Sequence, residues 1–240
     1  MRILTWNLNH RAARRAIPDW IVSAIEPLNP DVVVLTEYVE GDDHAKFLAS
    51  LAGLGLCSSH ISLRASGENQ VLIASRHRLR RGKLTAPSLH KSVPSNALHV
   101  VLEESGVNVL GFRMPAFEGK ERPFKRDVWQ WLLNAAEILR ANPSVIAGDF
   151  NTAPGDQAAT CGDCLEQLAR GGWQHALPSS GFSWKGGSHG TERQIDHLFL
   201  SPALPPARAE YLWGFQSLAA DAGSGKVGIP DHAILLATIE

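Results

Sequence analysis

Short apolar runs that stop on a polar group recur along this 240-residue chain, and they limit its fold more than any other feature. Asp31-Val32-Val33-Val34-Leu35-Thr36 is nearly all β-branched or apolar and releases Glu37. Arg2-Ile3-Leu4-Thr5-Trp6 releases Asn7, and residues 145 to 151 read Val-Ile-Ala-Gly-Asp-Phe-Asn. Gln194-Ile195-Asp196-His197-Leu198-Phe199-Leu200 carries Asp196 within it, and Ile229-Pro230-Asp231-His232 leads into Ala233-Ile234-Leu235-Leu236-Ala237. Runs this short and this apolar predict strands, several of them buried.

Together the segments offer Asn7, Glu37, Asp149, Asn151, Asp196, Asp231 and His232, the composition of a hard-cation site with a proton-transfer pair. Singly, an Asp or Glu just past a strand is ordinarily a turn former or a solvated charge. In Gly148-Asp149-Phe150-Asn151 an extended backbone sets Asp149 and Asn151 side by side while Phe150 turns inward. Pro154-Gly155 marks a turn just downstream. Asp196 differs, because a carboxylate inside an apolar run is expensive to bury without a partner, and histidine is the expected one.

The ordered set Trp6-Asn7, Leu35-Thr36-Glu37, Gly148 to Asn151, Ile195-Asp196-His197 and Asp231-His232 resembles the endonuclease/exonuclease/phosphatase superfamily, deoxyribonuclease I-like and exonuclease III-like proteins among them. The resemblance runs from the first strand to the last. It implies a four-layer α/β sandwich, two packed and mainly antiparallel β-sheets flanked by helices, as one domain over residues 1–240. It also implies a divalent-metal-dependent phosphoester hydrolase, a nuclease first of all, with Mg²⁺ or Mn²⁺ as cofactor and nucleic acid or another phosphoester as substrate. A phosphatase or phosphodiesterase for a small or lipid-linked phosphoester is the alternative, and a non-catalytic binding protein on the same fold a lesser one.

On that resemblance Glu37, Asn7 and Asp231 are expected at the metal. Asp149 would orient or deprotonate the attacking water, and Asn151 would hold a phosphate oxygen or the nucleophile. His232, alone a candidate structural histidine, is placed by its match in Asp231-His232 as a donor to the phosphoryl group, oriented by Asp196. Arg113-Met114-Pro115 departs from the pattern, since many relatives place histidine or tyrosine there. Arginine cannot act as a general acid, but its planar donor fork suits a phosphate oxygen, so Arg113 is assigned to phosphate binding and transition-state charge rather than to a plain strand end. Asn9, Arg11 and Trp184 are expected at the substrate, with His10, Arg14 and Arg15 as a positive rim. The glycine-rich stretch from Lys185 to Arg193 suits a substrate-binding edge.

Hydrophobic content of 44% against 20% charge argues for a compact core rather than disorder. No stretch is long and apolar enough to span a bilayer, and the first strand starts at Arg2 without a leader, so a cytoplasmic protein is the expectation, and a monomer. Cys161 and Cys164 form a C-x-x-C, but a structural zinc needs four ligands and Cys57, the remaining cysteine, is remote; the pair is read as helix or loop residues. The net charge of -1 and pI near 6.8 give no global pull toward nucleic acid. The cluster from Arg76 to Lys83 either tracks a phosphate backbone or is a solvated hairpin.

Helices are expected from Pro18 to about residue 27, from Asp43 to Leu51 and from about Arg122 to Arg140. In the last of these, Val128, Trp131, Leu132, Ala135, Ile138 and Leu139 fall at helical spacing, so Trp129 and Trp131 are read as packing residues rather than a base-stacking platform. Val71 to Ser75, Leu79 to Thr85, Ala97 to Glu103 and Val107 to Phe112 read as an antiparallel meander.

Overall fold

The apolar runs become strands buried on both faces, and their alternation assigns each residue to a different core. Ile3, Val32 and Val34 enter one buried cluster, while Leu4, Trp6, Val33 and Leu35 enter another. Successive side chains of a strand point to opposite faces, so a run apolar at every position demands a covering layer on each side. The computed structural model, which describes residues 1–9, 17–117, 119–186, 191–221 and 230–240, supplies those layers. Arg11, together with His10, Arg14 and Arg15, lies outside the described residues, as does part of the glycine-rich stretch after Lys185.

The first sheet is built from β1 (Arg2–Asn7), β2 (Val32–Tyr38), β3 (Ser58–Ile61), β4 (Gln70–Ser75), β13 (Ala207–Leu212) and β14 (Ile234–Ile239), in the order β13-β14-β1-β2-β4-β3. The second holds β5 (Leu79–Arg81), β6 (Ala97–Leu102), β7 (Asn108–Arg113), β8 (Ser144–Asp149), β9 (Gln174–His175) and β12 (Asp196–Leu200), in the order β5-β6-β7-β8-β12-β9. A short ribbon, β10 (Trp184–Gly186) with β11 (Thr191–Arg193), stands apart. Both large sheets are mainly antiparallel, each with one parallel pair, β1 with β2 and β7 with β8.

Val71, Ile73, Val100, Val109, Val145, Leu198 and Leu235 fill the space between the sheets. The outer face of the first sheet is covered by α1 (Trp20–Ile25), α2 (His44–Gly53) and α5 (Phe215–Asp221), with Trp20, Phe47 and Phe215 packed on Trp6, Leu35 and Tyr38. The outer face of the second is covered by α3 (Arg122–Leu139) and α4 (Gly162–Arg170) through Val128, Trp129, Leu132, Leu165 and Leu168. This is the expected four-layer sandwich. Trp129 is fully buried and Trp131 packs on Phe112 at 6.0 Å between ring centroids, so both are packing residues; Ile138, counted in the same stripe, is 65% exposed. Cys161 and Cys164 are buried at the start of α4 and within it, beneath α3. No helix among the described residues is long and apolar enough to cross a membrane.

The expected meander from Val71 to Phe112 is divided between the sheets. Arg76 anchors the end of β4 to the start of β2, its Nε donating to the Pro30 carbonyl and its backbone N–H to that of Asp31. From there the chain crosses, and Leu79 enters the core between the sheets as part of β5. That strand ends at Arg81 rather than Thr85, because the His99 ring, not a neighbouring strand, takes the Leu84 N–H at 3.2 Å.

Gly148 makes the approach of β7 to β8 possible. Its φ is +146°, and a Cβ added there would lie 1.8 Å from the Phe112 carbonyl oxygen. Backbone cannot yield as a side chain can, so Gly148→Ala is expected to cost more than about 3 kcal/mol in urea unfolding. A loss below about 1 kcal/mol would show that the two strands part without penalty.

Candidate active site

Strand register collects the polar groups at one edge of the sandwich. In the parallel pair β1 and β2, Asn7 stands opposite Thr36, which places Glu37 just beyond it. In the second sheet Asp149 stands opposite Arg113 on one side and opposite Asp196 on the other. His232 precedes β14, which runs antiparallel to β1, and so returns to the end where Asn7 emerges.

Local backbone then aims the side chains. The pairing of β2 with β4 shifts register between Leu35 and Tyr38, and Glu37 within that irregularity has φ 49°. Such a bulge re-aims a side chain at the end of a ladder. Asn9 and Asn151 are also left-handed, at φ 48° and 45°, so three of the five non-glycine residues with positive φ among those described belong to this edge. Left-handed backbone gathered in one place makes this edge the candidate functional site. Asp149 and Asn151 do meet, but through a tight turn rather than along an extended strand. The Asn151 N–H donates to Asp149 Oδ1 at 2.8 Å, and its Nδ2 to Asp149 Oδ2 at 3.1 Å and to the Met114 carbonyl at 2.7 Å. Phe150 turns inward as expected and packs against Phe112, Trp129 and Phe199.

Asn7 links the two sheets. Its Nδ2 lies 3.0 Å from Asp149 Oδ2 and 3.4 Å from His232 Nε2, while its Oδ1 accepts the Asn9 N–H at 2.9 Å. His232 Nδ1 donates to Asp196 Oδ2 at 2.7 Å, which fixes the ring and leaves Nε2 facing the cluster. Burial opposes charge on His232, but Asp196, by charge and hydrogen bond, overcomes it and holds the imidazole up to about 9. Burial likewise raises Asp149, to about 6, with Asp196 adding to the rise and His232 and Arg113 opposing it. A carboxylate moved toward neutral pH beside a cationic imidazole is an acid–base pair.

Arg113 does not point into open space. Its Nε and Nη2 converge on Glu37 Oε1 at 3.0 and 2.5 Å, and its Nε lies 3.9 Å from Asp149 Oδ2. Burial pushes the Glu37 carboxyl up, but the charge and hydrogen bonds of Arg113 outweigh it, so Glu37 is held below its ordinary value. Glu37 Oε2 and Asp196 Oδ1 are buried with no hydrogen-bond partner among the described residues. An ionised buried oxygen without a donor is what a hard cation satisfies, so Glu37 fits Mg²⁺ or Mn²⁺. Asp149, Asp196 and His232 also offer ligand atoms within 4.8 Å of one another. Asp231 stands outside that cluster, its Oδ2 accepting the Trp184 indole N–H at 3.3 Å. Trp184 is half-buried and bridges His232 through the backbone, so it holds the segment that carries the histidine.

Several supporting groups carry little sequence signal. Lys125 Nζ donates to the Asn151 carbonyl at 2.7 Å; its place one turn before Val128 and Trp129 on the inner stripe of α3 was the available clue. Ser183 Oγ accepts the backbone N–H groups of Ile195 and Asp196. His175 Nε2 lies 3.0 Å from His197 Nδ1, and His197 Nε2 lies 2.8 Å from the Thr152 carbonyl, so a neutral imidazole pair props the turn after Asn151. The basic cluster, by contrast, is remote. Arg76 binds the backbone at the start of β2, whereas Glu37 stands near its far end, roughly 20 Å along the strand.

His232 has a raised pKa in the folded chain, so its pairing with Asp196 contributes stability that is complete below the ordinary histidine value and is lost as pH rises through about 9. NMR titration of the metal-free protein should show the His232 ring still protonated at pH 7.5, and Asp196→Asn should drop its midpoint by more than one unit. An unshifted midpoint in that variant would mean the pair does not govern the ring.

Comparison with known proteins accords with this arrangement. No match to the chain is found among curated proteins. Among solved structures, an AP endonuclease from Archaeoglobus fulgidus is similar with a TM-score of 0.74 at 15% identity, covering 100% of this chain and 99% of that one. The 3′ phosphatase NExo from Neisseria, bound to product DNA hairpin, has a TM-score of 0.70 at 19% identity, with 100% and 99% covered. Truncated Caenorhabditis elegans TDP2 has a TM-score of 0.69 at 18% identity, with 99% and 96% covered. At these identities the likeness concerns the fold. The sequence itself matches a family model over residues 4–224, and on that match the chain belongs to the Endonuclease/Exonuclease/phosphatase family.

Proposed function

We propose that the chain is a divalent-metal-dependent nuclease that hydrolyses phosphodiester bonds in a nucleic-acid strand. The observation that carries this reading is the convergence at Asn7, whose amide nitrogen donates to a buried carboxylate at 3.0 Å and lies 3.4 Å from an imidazole nitrogen. Base and cationic donor thus stand side by side at one edge of the sandwich, where Asp149, Asp196 and His232 offer polar atoms within 4.8 Å of one another. Support for nucleic acid comes from two neighbours of nearly equal length, one named as an AP endonuclease and one bound to product DNA hairpin.

Each residue then has a task. Glu37 Oε2, with water, would hold Mg²⁺ or Mn²⁺, and such an ion would supply positive charge to the phosphoryl oxygen. Asp149, fixed by Asn7 and by Asn151, takes the proton of the attacking water as the new P–O bond forms. His232, fixed by Asp196, donates its Nε2–H to a phosphoryl oxygen and so favours the crowded, more charged transition state. The bond to the leaving oxygen breaks and that oxygen takes a proton from solvent. Asn9, which donates to Asn7, and Trp184, which donates to Asp231, are assigned to the substrate, and Asp231 is a reserve ligand.

A small phosphoester is the second reading, favoured by the distance of the basic cluster from the site and by the net charge of -1. Purified protein with Mg²⁺ or Mn²⁺ is to be offered plasmid, single-stranded DNA, a 3′-phosphorylated hairpin and bis-p-nitrophenyl phosphate. Cleavage of nucleic acid is expected, abolished by EDTA and reduced about 10²- to 10⁴-fold by Asp149→Asn or His232→Gln with circular dichroism unchanged. Turnover confined to bis-p-nitrophenyl phosphate would favour the second reading, and none with any divalent ion would refute both.

A further inference from the structure

We propose that Arg113 is a built-in cation standing where a second metal ion would otherwise be bound, so that the site takes one divalent ion, on Glu37 Oε2. This inference rests on the metal-dependent reading above and says how many ions that reading requires. Arg113 closes β7 opposite Asp149, and its guanidinium reaches across to the first sheet. It binds Glu37 Oε1 with two nitrogens and lies 3.9 Å from Asp149 Oδ2, so one fixed positive charge faces both carboxylates. Arginine keeps that charge at every working pH and at any metal concentration.

An inventory of the carboxylate oxygens that face Arg113 points the same way. Two-ion sites hold their metals roughly 3.5–4 Å apart, which requires carboxylate oxygens shared between the ions or divided among them. Glu37 has spent Oε1 on Arg113 and retains Oε2, which is buried and without a partner among the described residues. Asp149 accepts the Asn151 N–H at Oδ1 and the side-chain amides of Asn7 and Asn151 at Oδ2. Asp196 has given Oδ2 to His232, whose Nδ1 is thereby removed as a ligand, and its Oδ1, also buried and without a partner among the described residues, is a lone oxygen on the second sheet. The cluster of Asp149, Asp196 and His232 is therefore largely consumed by its own hydrogen bonds, although its ligand atoms lie within 4.8 Å of one another. Glu37 Oε2 is the carboxylate oxygen left on the first sheet's side of the site.

Arg113 also faces a cavity of about 340 Å³ lined by Gly67, His90, Lys91, Pro115 and Phe117. Its location between this cavity and Glu37 lets the same guanidinium hold the ligand and approach an incoming phosphate, as a second ion would.

Counting bound Mn²⁺ tests the proposal without reference to turnover. Native mass spectrometry and Mn²⁺ electron paramagnetic resonance should find one ion per wild-type chain, with the signal of an isolated ion. Arg113→Leu frees Glu37 Oε1 and should bind a second Mn²⁺, giving a spin-coupled signal and a steeper metal dependence of hydrolysis. Arg113→Lys, which keeps a cation, should return the count to one. Should Arg113→Leu fail to fold, Arg113→Gln, which keeps a polar side chain without the charge, takes its place with the same expected count of two. Two ions in the wild type, or a single ion in a folded Arg113→Leu, would overturn the assignment of Arg113 while leaving metal-dependent hydrolysis standing. No ion and no hydrolysis in the wild type would overturn both.

Discussion

The apolar interface between the two sheets is the constraint on which the site depends. Ile3, Val32, Val34 and Leu235 of the first sheet are buried with Val109, Val145, Ala147 and Leu198 of the second. Burial of this kind, worth about 25 cal/mol for each Å² of apolar surface removed from water, holds the sheets at a fixed separation. The polar edge spans that separation. Asn7 and Glu37 come from one sheet, Asp149, Asp196 and Arg113 from the other, and the contacts between them close only if the packing is correct. The same packing explains why a sandwich can present polar chemistry at its rim, because strands saturated on both faces have only their ends to offer.

The charges at that rim are compensated in pairs. Arg113 is joined to Glu37, and His232 to Asp196, each pair mostly removed from water. A buried charge without a partner is too expensive to persist, so each ion that serves chemistry requires one that serves the fold. Asp149 is the exception in kind. Among the described residues it has no ion pair of its own at hydrogen-bond distance, only amide and backbone donors and the more distant Arg113. Hydrogen bonds hold its geometry while burial lifts its proton affinity, which is a suitable combination for a base.

Much of this was legible in the chain. Asn7, Glu37 and Asp149 follow apolar runs, and a strand hidden on both faces releases polar groups at its end, so their convergence could be expected from the pattern. Asp196, a carboxylate within an apolar run, called for a partner, and His232 lies 2.7 Å from it. The resemblance to the family rested on the same residues. What the pattern missed is equally specific. The basic stretch around Arg76 left a phosphate track and a solvated hairpin both open, and Arg76 ties β4 to the end of β2 away from Glu37. The meander was misread because strands of similar composition serve either sheet, and hydrophobicity does not say which. Lys125 and Ser183 look like ordinary surface residues until α3 and the turn before Asp196 are folded against the site.

Sequence by itself determined the strand cores, the order of the motifs and the identity of the polar groups at the strand ends, because these depend on side-chain type and on a period of two. Only the tertiary structure decided that Arg113 belongs to Glu37, that Asn7 joins Asp149 to His232, and that the turn at Asn151 is left-handed. The physical reason is that these relations run between sheets, or between strands far apart in the chain. Register and packing set them, and neither is a property of any local run of residues.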